Sequence, residues 1–140
     1  MFLSGKKNIT SRYVAYTNEV MSYYPEIRII YYTVRRLLAA KELHDHKKGG
    51  LKAYALFLLI YSMRTQYCYN YISQFVEHFA YYYGVGYEYA CEVSEEGEVE
   101  YKINIKDPLN SDNNMGGKRT DIAALRELFQ KVYYGINTSN

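Results

Sequence analysis

The strongest constraint on the fold is a change in the spacing of apolar residues near Gly84. Before this glycine, apolar residues recur every three to four positions, which places them on one face of a helix. After it, residues 87–93 and 99–105 alternate between polar and apolar side chains, a pattern typical of strands joined in a hairpin. The sequence therefore predicts helices first, then one antiparallel hairpin, and then a last helix.

Turn-forming residues set the limits of the expected helices. The predicted helical segments are 11–24, 25–43, 51–63, 69–83 and 119–134. Pro25 fits the first turn of the second helix, since its missing N–H has no partner there anyway. Gly49–Gly50 interrupts the helical pattern, and either Thr120 or Asp121 caps the last helix.

The expected fold class is mainly α (α+β): a bundle of about five helices with one antiparallel β-hairpin before the last helix. Residues 107–118 are expected to form a loop, and residues 1–140 a single domain.

Net charge and cysteine content exclude few classes of protein. The formal net charge is +2, so charge alone does not indicate a nucleic-acid-binding protein, although basic residues are concentrated in the first 52 positions. Cys68 and Cys91 are expected to be free thiols of an intracellular protein. The start of the chain lacks the apolar stretch of a signal peptide, and no apolar run reaches about 18 residues, so no membrane partner is expected.

Three segments carry the clearest functional signal. The first, 25–44, begins Pro-Glu-Ile-Arg and contains Arg35, Arg36 and Lys41. The second, 49–56, reads Gly-Gly-Leu-Lys-Ala-Tyr-Ala-Leu, and the third, 107–116, reads Asp-Pro-Leu-Asn-Ser-Asp-Asn-Asn-Met-Gly. In this order they resemble the terminal nucleotidyltransferase family of poly(A)/poly(U) polymerases, whose motifs include Gly-Gly-Leu-Ser-Ser-Tyr and Asp-Pro-Leu-Asn-x-x-Asn-Asn-Val-Gly. The branch that the chain resembles most is that of the RNA-surveillance poly(A) polymerases.

The resemblance covers roughly residues 10–136 and implies the central, poly(A)-polymerase-associated domain of such an enzyme. In the family this domain recognises the incoming nucleotide, while the complete enzyme adds adenylates to RNA 3′ ends with ATP and Mg²⁺ or Mn²⁺. The implied partners are the RNA 3′ end, ATP, a nucleotidyltransferase catalytic domain in cis or in trans, and surveillance-complex proteins. The implied location is intracellular, in the nucleus rather than the cytoplasm. No cofactor is expected to bind this chain alone.

By the same resemblance, six residues are expected to bind the nucleotide: Tyr54, Arg35, Lys41, Lys52, Asn113 and Asn114. Tyr54 is expected to stack on the base, and the alternative is an aromatic residue of the core. Arg35 and Lys41 are expected to face the triphosphate, and the alternative is a solvated helix face. Asn113 and Asn114 are expected at the base edge, and the alternative is a pair of turn residues that bond their own backbone.

Several positions depart from the family pattern. Lys52 and Ala53 replace two serines, Gly117 replaces an arginine, and Ala39 replaces a second lysine. The sequence contains no Asp-x-Asp and no Gly-Ser, so no catalytic residue is predicted and the chain alone is not expected to transfer nucleotides. The segment His44–Asp45–His46 is interpreted as a polar loop rather than a metal site.

Two functions remain open from the sequence. The first is a nucleotide-recognition domain of a poly(A)-polymerase-like enzyme, inactive alone. The alternative is a non-enzymatic RNA- or protein-binding module derived from the same fold. A third interpretation, an unrelated helical domain with accidental motifs, is supported only if the helix–hairpin–loop–helix order is absent.

Overall fold

The computed structural model describes residues 5–116 and 120–138, without the side chains at positions 5–10, 111, 113, 137 and 138. The helices in these ranges are α1 (Gly5–Tyr23), α2 (Pro25–Ala39), α3 (Ala53–Gln66), α4 (Ile72–Tyr81) and α5 (Ile122–Thr138). An antiparallel hairpin of β1 (Ala90–Val93) and β2 (Val99–Lys102) precedes α5. The predicted fold class is thus confirmed.

Helix α3 forms the centre of the bundle. Its residues from Ala55 to Ile60 are all buried, as its apolar composition on every side predicts. The neighbouring helices each bury one apolar face in the same core, with residues spaced three or four apart. The buried residues of these faces are Ile27, Ile30, Val34 and Leu38 on α2, Phe75 and Phe79 on α4, and Leu125 and Phe129 on α5.

The helix limits follow from local chemistry. Pro25 starts α2, as predicted. This helix ends at Ala39, earlier than predicted, because the chain turns back: the Leu43 N–H donates to the Leu38 carbonyl at 2.8 Å, and Glu42 has a φ of 57°. Asp121, rather than Thr120, caps α5, since its Oδ1 accepts the Ala124 N–H at 3.0 Å.

Helix α4 leads into a π-helical turn, Tyr82–Gly86, that packs on α5. A Cβ at Gly84 would lie 2.7 Å from the backbone nitrogen of Gln130, so only glycine allows this approach. The Gln130 side chain donates to the Gly84 carbonyl at 2.9 Å. The helical pattern of the sequence ends at Gly84, where the backbone of the turn lies against the backbone of α5.

The β1–β2 hairpin has the predicted pairing but shorter strands. Ala90 lies opposite Lys102 and Val93 opposite Val99, and Gly97 in the connection has a φ of 82°. The residues of both strands are almost all exposed. The two strands are therefore not held by burial of one face, and they are shorter than the predicted ranges of 87–93 and 99–105.

A second, shorter hairpin lies inside the segment predicted as a loop. Its strands are β3 (Lys106–Asp107) and β4 (Asn110–Asn114), joined by the two residues Pro108 and Leu109. The Asn114 Oδ1 accepts the N–H groups of Ile105 and Gly116 at 2.8 and 2.9 Å. Because side-chain bonds to the backbone hold this polar hairpin, the alternating pattern of ordinary strands is missing from its sequence.

Two further expectations concern cysteines and membranes. Cys68 and Cys91 are exposed free thiols, as predicted. None of the helices in the described ranges combines the length and hydropathy needed to cross a membrane.

Buried tyrosines predict a loss of stability in alkali. Desolvation is the largest cause that raises the pKa of Tyr16, Tyr54, Tyr69, Tyr82, Tyr83 and Tyr89, and it raises the pKa of Tyr69 to about 12. In the unfolded chain these groups ionise near pH ~10. The folded state thus favours the neutral rings, and this stabilisation is complete below pH ~10 and lost as the pH rises through the folded-state pKa values.

Urea unfolding measured at pH ~8 and pH ~11 checks this expectation. The free energy of unfolding should be smaller at the higher pH. Equal free energies at the two pH values would contradict the prediction.

Candidate functional site

The Gly49–Gly50 pair fixes the start of α3. Gly49 has a φ of 88°, which favours glycine. A Cβ at Gly50 would lie 2.1 Å from the Leu43 carbonyl oxygen, which itself accepts the Leu51 N–H at 2.9 Å. The Gly49 carbonyl accepts the Asp121 N–H at 2.7 Å, which ties the pair to the start of α5. The glycines therefore position the first turn of α3, where Tyr54 lies.

Asp107 joins the second and third sequence motifs. It is fully buried, and its Oδ1 accepts the Tyr54 hydroxyl at 3.2 Å although the two residues are 53 positions apart. The same oxygen accepts the Leu109 N–H at 2.9 Å, which closes the turn between β3 and β4. A buried carboxylate needs such donors to offset its lost hydration. This contact holds the β3–β4 hairpin against the start of α3.

Tyr13 of α1 covers the Tyr54 ring. The two rings stack with centroids 4.4 Å apart at 22°, and the Tyr13 hydroxyl donates to the Asp107 Oδ2 at 2.9 Å. The Phe57 ring lies 6.0 Å from Tyr54, also at 22°. Burial, followed by the negative charge of Asp107, raises the pKa of the half-buried Tyr54 hydroxyl. One face of the predicted stacking residue is thus occupied by another tyrosine of the chain.

A groove of about 450 Å³ opens between α1, α2 and α3 beside this tyrosine pair. Tyr54, Tyr13, Arg28 and Tyr31 contribute to its lining, and no Asp or Glu does so. Arg35 lies at its edge, where its Nη1 donates to the Tyr31 hydroxyl at 2.8 Å. The groove therefore combines aromatic surfaces with a cationic edge.

The cations at this edge are available to a ligand. Arg28, which lines the groove, and Arg35, which is bonded to Tyr31, are exposed, and neither forms an ion pair within residues 5–116 and 120–138. A guanidinium can donate two parallel hydrogen bonds to a phosphate. The groove edge therefore has the charge and the donors that a phosphate group requires.

Lys41 and Lys52 do not line this groove. Lys52 is exposed immediately before α3. Lys41 follows the end of α2 and lies toward α5: after the ion pair of Glu127 with Lys131, the charge of Lys41 also contributes to the lowered pKa of Glu127. Lys41 thus lies in the turn beyond the end of α2, and Lys52 lies before the first turn of α3.

Asn113 and Asn114 both lie in strand β4. The backbone of Asn113 lies in β4, opposite the strand that carries Asp107, and its side chain is outside the described part of the chain. The Asn114 side chain bonds the backbone of Ile105 and Gly116, and its Nδ2 donates to the Asn104 Oδ1 at 3.1 Å. Asn114 thus makes the backbone bonds of a turn residue.

Sequence reasoning did not select three residues that the structure places at the site: Asp107, Tyr13 and Arg28. Asp107 and Arg28 belong to the quoted motifs, which was the available signal. Tyr13 lies 94 positions from Asp107, and no local pattern distinguishes it from the 18 other tyrosines.

The predicted polar loop at His44–Asp45–His46 is part of a short 3₁₀ turn. The Asp45 Oδ1 accepts the Lys47 N–H at 3.0 Å, so this carboxylate caps the turn. Among the residues that the structure describes, no three His, Cys, Asp or Glu side chains are grouped so as to hold a metal ion.

Comparison of the chain with models of protein families, with curated proteins and with solved structures gave no match.

Proposed function

We propose that this chain is the nucleotide-recognition domain of a poly(A)-polymerase-like RNA nucleotidyltransferase that adds adenylates to RNA 3′ ends. The observation that carries the proposal is the hydrogen bond between Tyr54 and Asp107. It brings the Gly-Gly-Leu segment and the Asp-Pro-Leu-Asn segment together beside an open groove. An accidental match of two short motifs gives no reason for the motifs to meet at one place.

The chemistry of the groove suits an adenine nucleotide. A base that stacks on Tyr54 gains ~1–3 kcal/mol, whichever base it is. The triphosphate is then within reach of the arginine edge formed by Arg28 and Arg35, where charge-assisted hydrogen bonds are available. Asn113, on β4 of the adjoining hairpin, is the residue that we assign to the base edge, because an amide offers both a donor and an acceptor.

Base stacking on the covered face of Tyr54 requires Tyr13 to move. Tyr13 already makes the two kinds of contact that a base would make there: a parallel ring contact and a donated hydrogen bond to Asp107. Nucleotide binding and the Tyr13–Tyr54 stack therefore exclude each other on this face. We infer that α1 shifts at Tyr13 when the nucleotide binds.

In the part of the chain that the structure describes, the carboxylates are not grouped as the metal ions of nucleotidyl transfer require. Asp107 is buried under two tyrosine hydroxyls, and Asp45 and Asp121 cap turns of the backbone. We therefore derive no catalytic step from this chain. In the proposed enzyme, a catalytic domain in cis or in trans supplies the metal-binding carboxylates.

A second candidate function is a non-enzymatic RNA- or protein-binding module with the same fold. The covered ring of Tyr54 favours it, as do Lys52 and Ala53 at the positions of the family's two serines. In such a module the Tyr13–Tyr54 stack stays closed, and ATP does not compete with it.

Replacement of Tyr54 by alanine tests the proposed function. We expect the ATP affinity of the chain, measured by calorimetry, to fall by ~1–3 kcal/mol because the stacking surface is lost. Tyr23→Ala is the matched control, since Tyr23 is 74% exposed and lies at the far end of α1. Equal ATP affinities for the Tyr54 and Tyr23 variants would exclude the stacking role.

A further inference from the structure

A second cleft, of about 480 Å³, lies farther along α3, beside residues 58–65, whereas the nucleotide groove uses the first turns of this helix. Its walls come from α1, from the outer turns of α3, from the π-helical turn Tyr82–Gly86, and from the chain that enters β3. Its volume is in the range of small-molecule sites.

The lining of the cleft is aromatic and polar. Tyrosine rings from three elements contribute to it: Tyr16, Tyr61, Tyr82 and Tyr87. Asn104 adds an amide, while Ser62 and Thr65 add hydroxyls. Such rings can stack on a planar heterocycle, and an amide can bond its edge.

The positive charge of Lys106 indicates which class of ligand fits the cleft. Among the described residues that line the cleft, Lys106, which is exposed, is the one with a charge, and none is Asp or Glu. Lys106 forms no ion pair with any residue of the described segments. A free ammonium group beside tyrosine rings fits a phosphate attached to a base, whereas an apolar peptide side chain would make no use of the lysine charge.

We propose that this cleft binds one nucleotide unit, a base with its phosphate, of single-stranded RNA. The base stacks on Tyr87, and the phosphate meets the Lys106 ammonium group. The cleft adjoins the Tyr54 site, because Lys106 and Pro108 line it while Asp107, between them, holds Tyr54. The proposal goes beyond nucleotide recognition at Tyr54 and does not depend on it.

Salt-dependent binding of an oligoadenylate of about ten nucleotides tests the proposal. For Lys106→Gln we expect about three- to tenfold weaker binding at low salt. The slope of log affinity against log salt should also fall by ~0.7, the value for one phosphate contact on a single strand. Lys47→Gln is the matched control, because Lys47 is exposed, lies in the 3₁₀ turn and does not line the cleft.

Tyr87→Leu tests the stacking contact, with Tyr23→Leu as its control. We expect about tenfold weaker RNA binding for the Tyr87 variant, which is ~1.4 kcal/mol. AMP serves as a second probe: competition by AMP would show that the cleft takes a free nucleotide as well as an RNA strand. The two proposals can fail separately, because the first is tested by Tyr54→Ala with ATP as the ligand and the second by Lys106→Gln with the oligoadenylate.

The proposal is overturned if Lys106→Gln and Lys47→Gln give the same RNA affinity and the same salt slope. It is also overturned if neither the oligoadenylate nor AMP binds to the unaltered chain. Because Lys106 is exposed, Lys106→Gln should fold. The comparison of Lys106→Gln with Lys47→Gln therefore decides the proposal even if Tyr87→Leu does not fold.

Discussion

The Asp107→Asn variant is expected to lose ~2–4 kcal/mol of its free energy of unfolding. The carboxylate accepts hydrogen bonds from the hydroxyls of Tyr13 and Tyr54 and from the Leu109 N–H. Each hydrogen bond to a charged group contributes ~1.5–3 kcal/mol, and an asparagine offers one accepting oxygen instead of two. At least one buried donor is then left without a partner.

Urea unfolding of this variant checks the expectation against a matched control. Asp112→Asn makes the same chemical change in the same hairpin, but Asp112 is exposed. We expect the control to change the free energy of unfolding by less than ~0.5 kcal/mol. If the two variants are equally stable, the carboxylate does not hold the hairpin against α3.

The Tyr13→Ala variant is expected to bind ATP at least about tenfold more tightly than the unaltered chain. In the closed state Tyr13 occupies the ring face that the base needs, so part of the binding free energy is spent on its displacement. The stack is worth ~0.5–1.5 kcal/mol and the bond to Asp107 ~1.5–3 kcal/mol. In Tyr13→Ala neither the stack nor the hydrogen bond has to be broken before ATP binds. The measured ATP affinity is therefore closer to the intrinsic affinity of the open site.

Tyr13→Phe separates the two contributions of Tyr13. It keeps the ring and removes the hydroxyl, so its ATP affinity should lie between those of the unaltered chain and Tyr13→Ala. A cooperative unfolding transition for each variant shows that the fold is intact. Unchanged or weaker ATP binding by a folded Tyr13→Ala protein would mean that Tyr13 does not occupy the position of the base.

Local patterns account for most of the fold. Helical spacing, the proline at the start of α2 and the apolar composition of α3 specify elements through neighbouring residues, and these elements appear as predicted. The β3–β4 hairpin does not follow from such patterns, because the Asn114 side chain rather than alternating burial holds it. The early end of α2 likewise depends on a turn with Glu42 at positive φ, for which the sequence has no glycine signal.

The candidate site was less predictable than the fold. Motifs indicated Tyr54 and Arg35, and the structure places both at one groove. The roles of Asp107 and Tyr13 depend on contacts across 53 and 94 positions, which no local pattern contains. Lys41 was expected at the same groove from the family resemblance; α2 ends at Ala39, and the side chain of Lys41 lies toward α5 instead.

Titration of the isotope-labelled chain with ATP, followed by NMR, tests most directly whether this domain recognises a nucleotide. Saturable shifts are predicted at Tyr54, at Arg28 and Arg35, and in the β3–β4 hairpin. Shifts in α1 around Tyr13 should report its displacement. Failure to saturate, or a largest response in the exposed β1–β2 hairpin with no change at Tyr54, would contradict the proposed function.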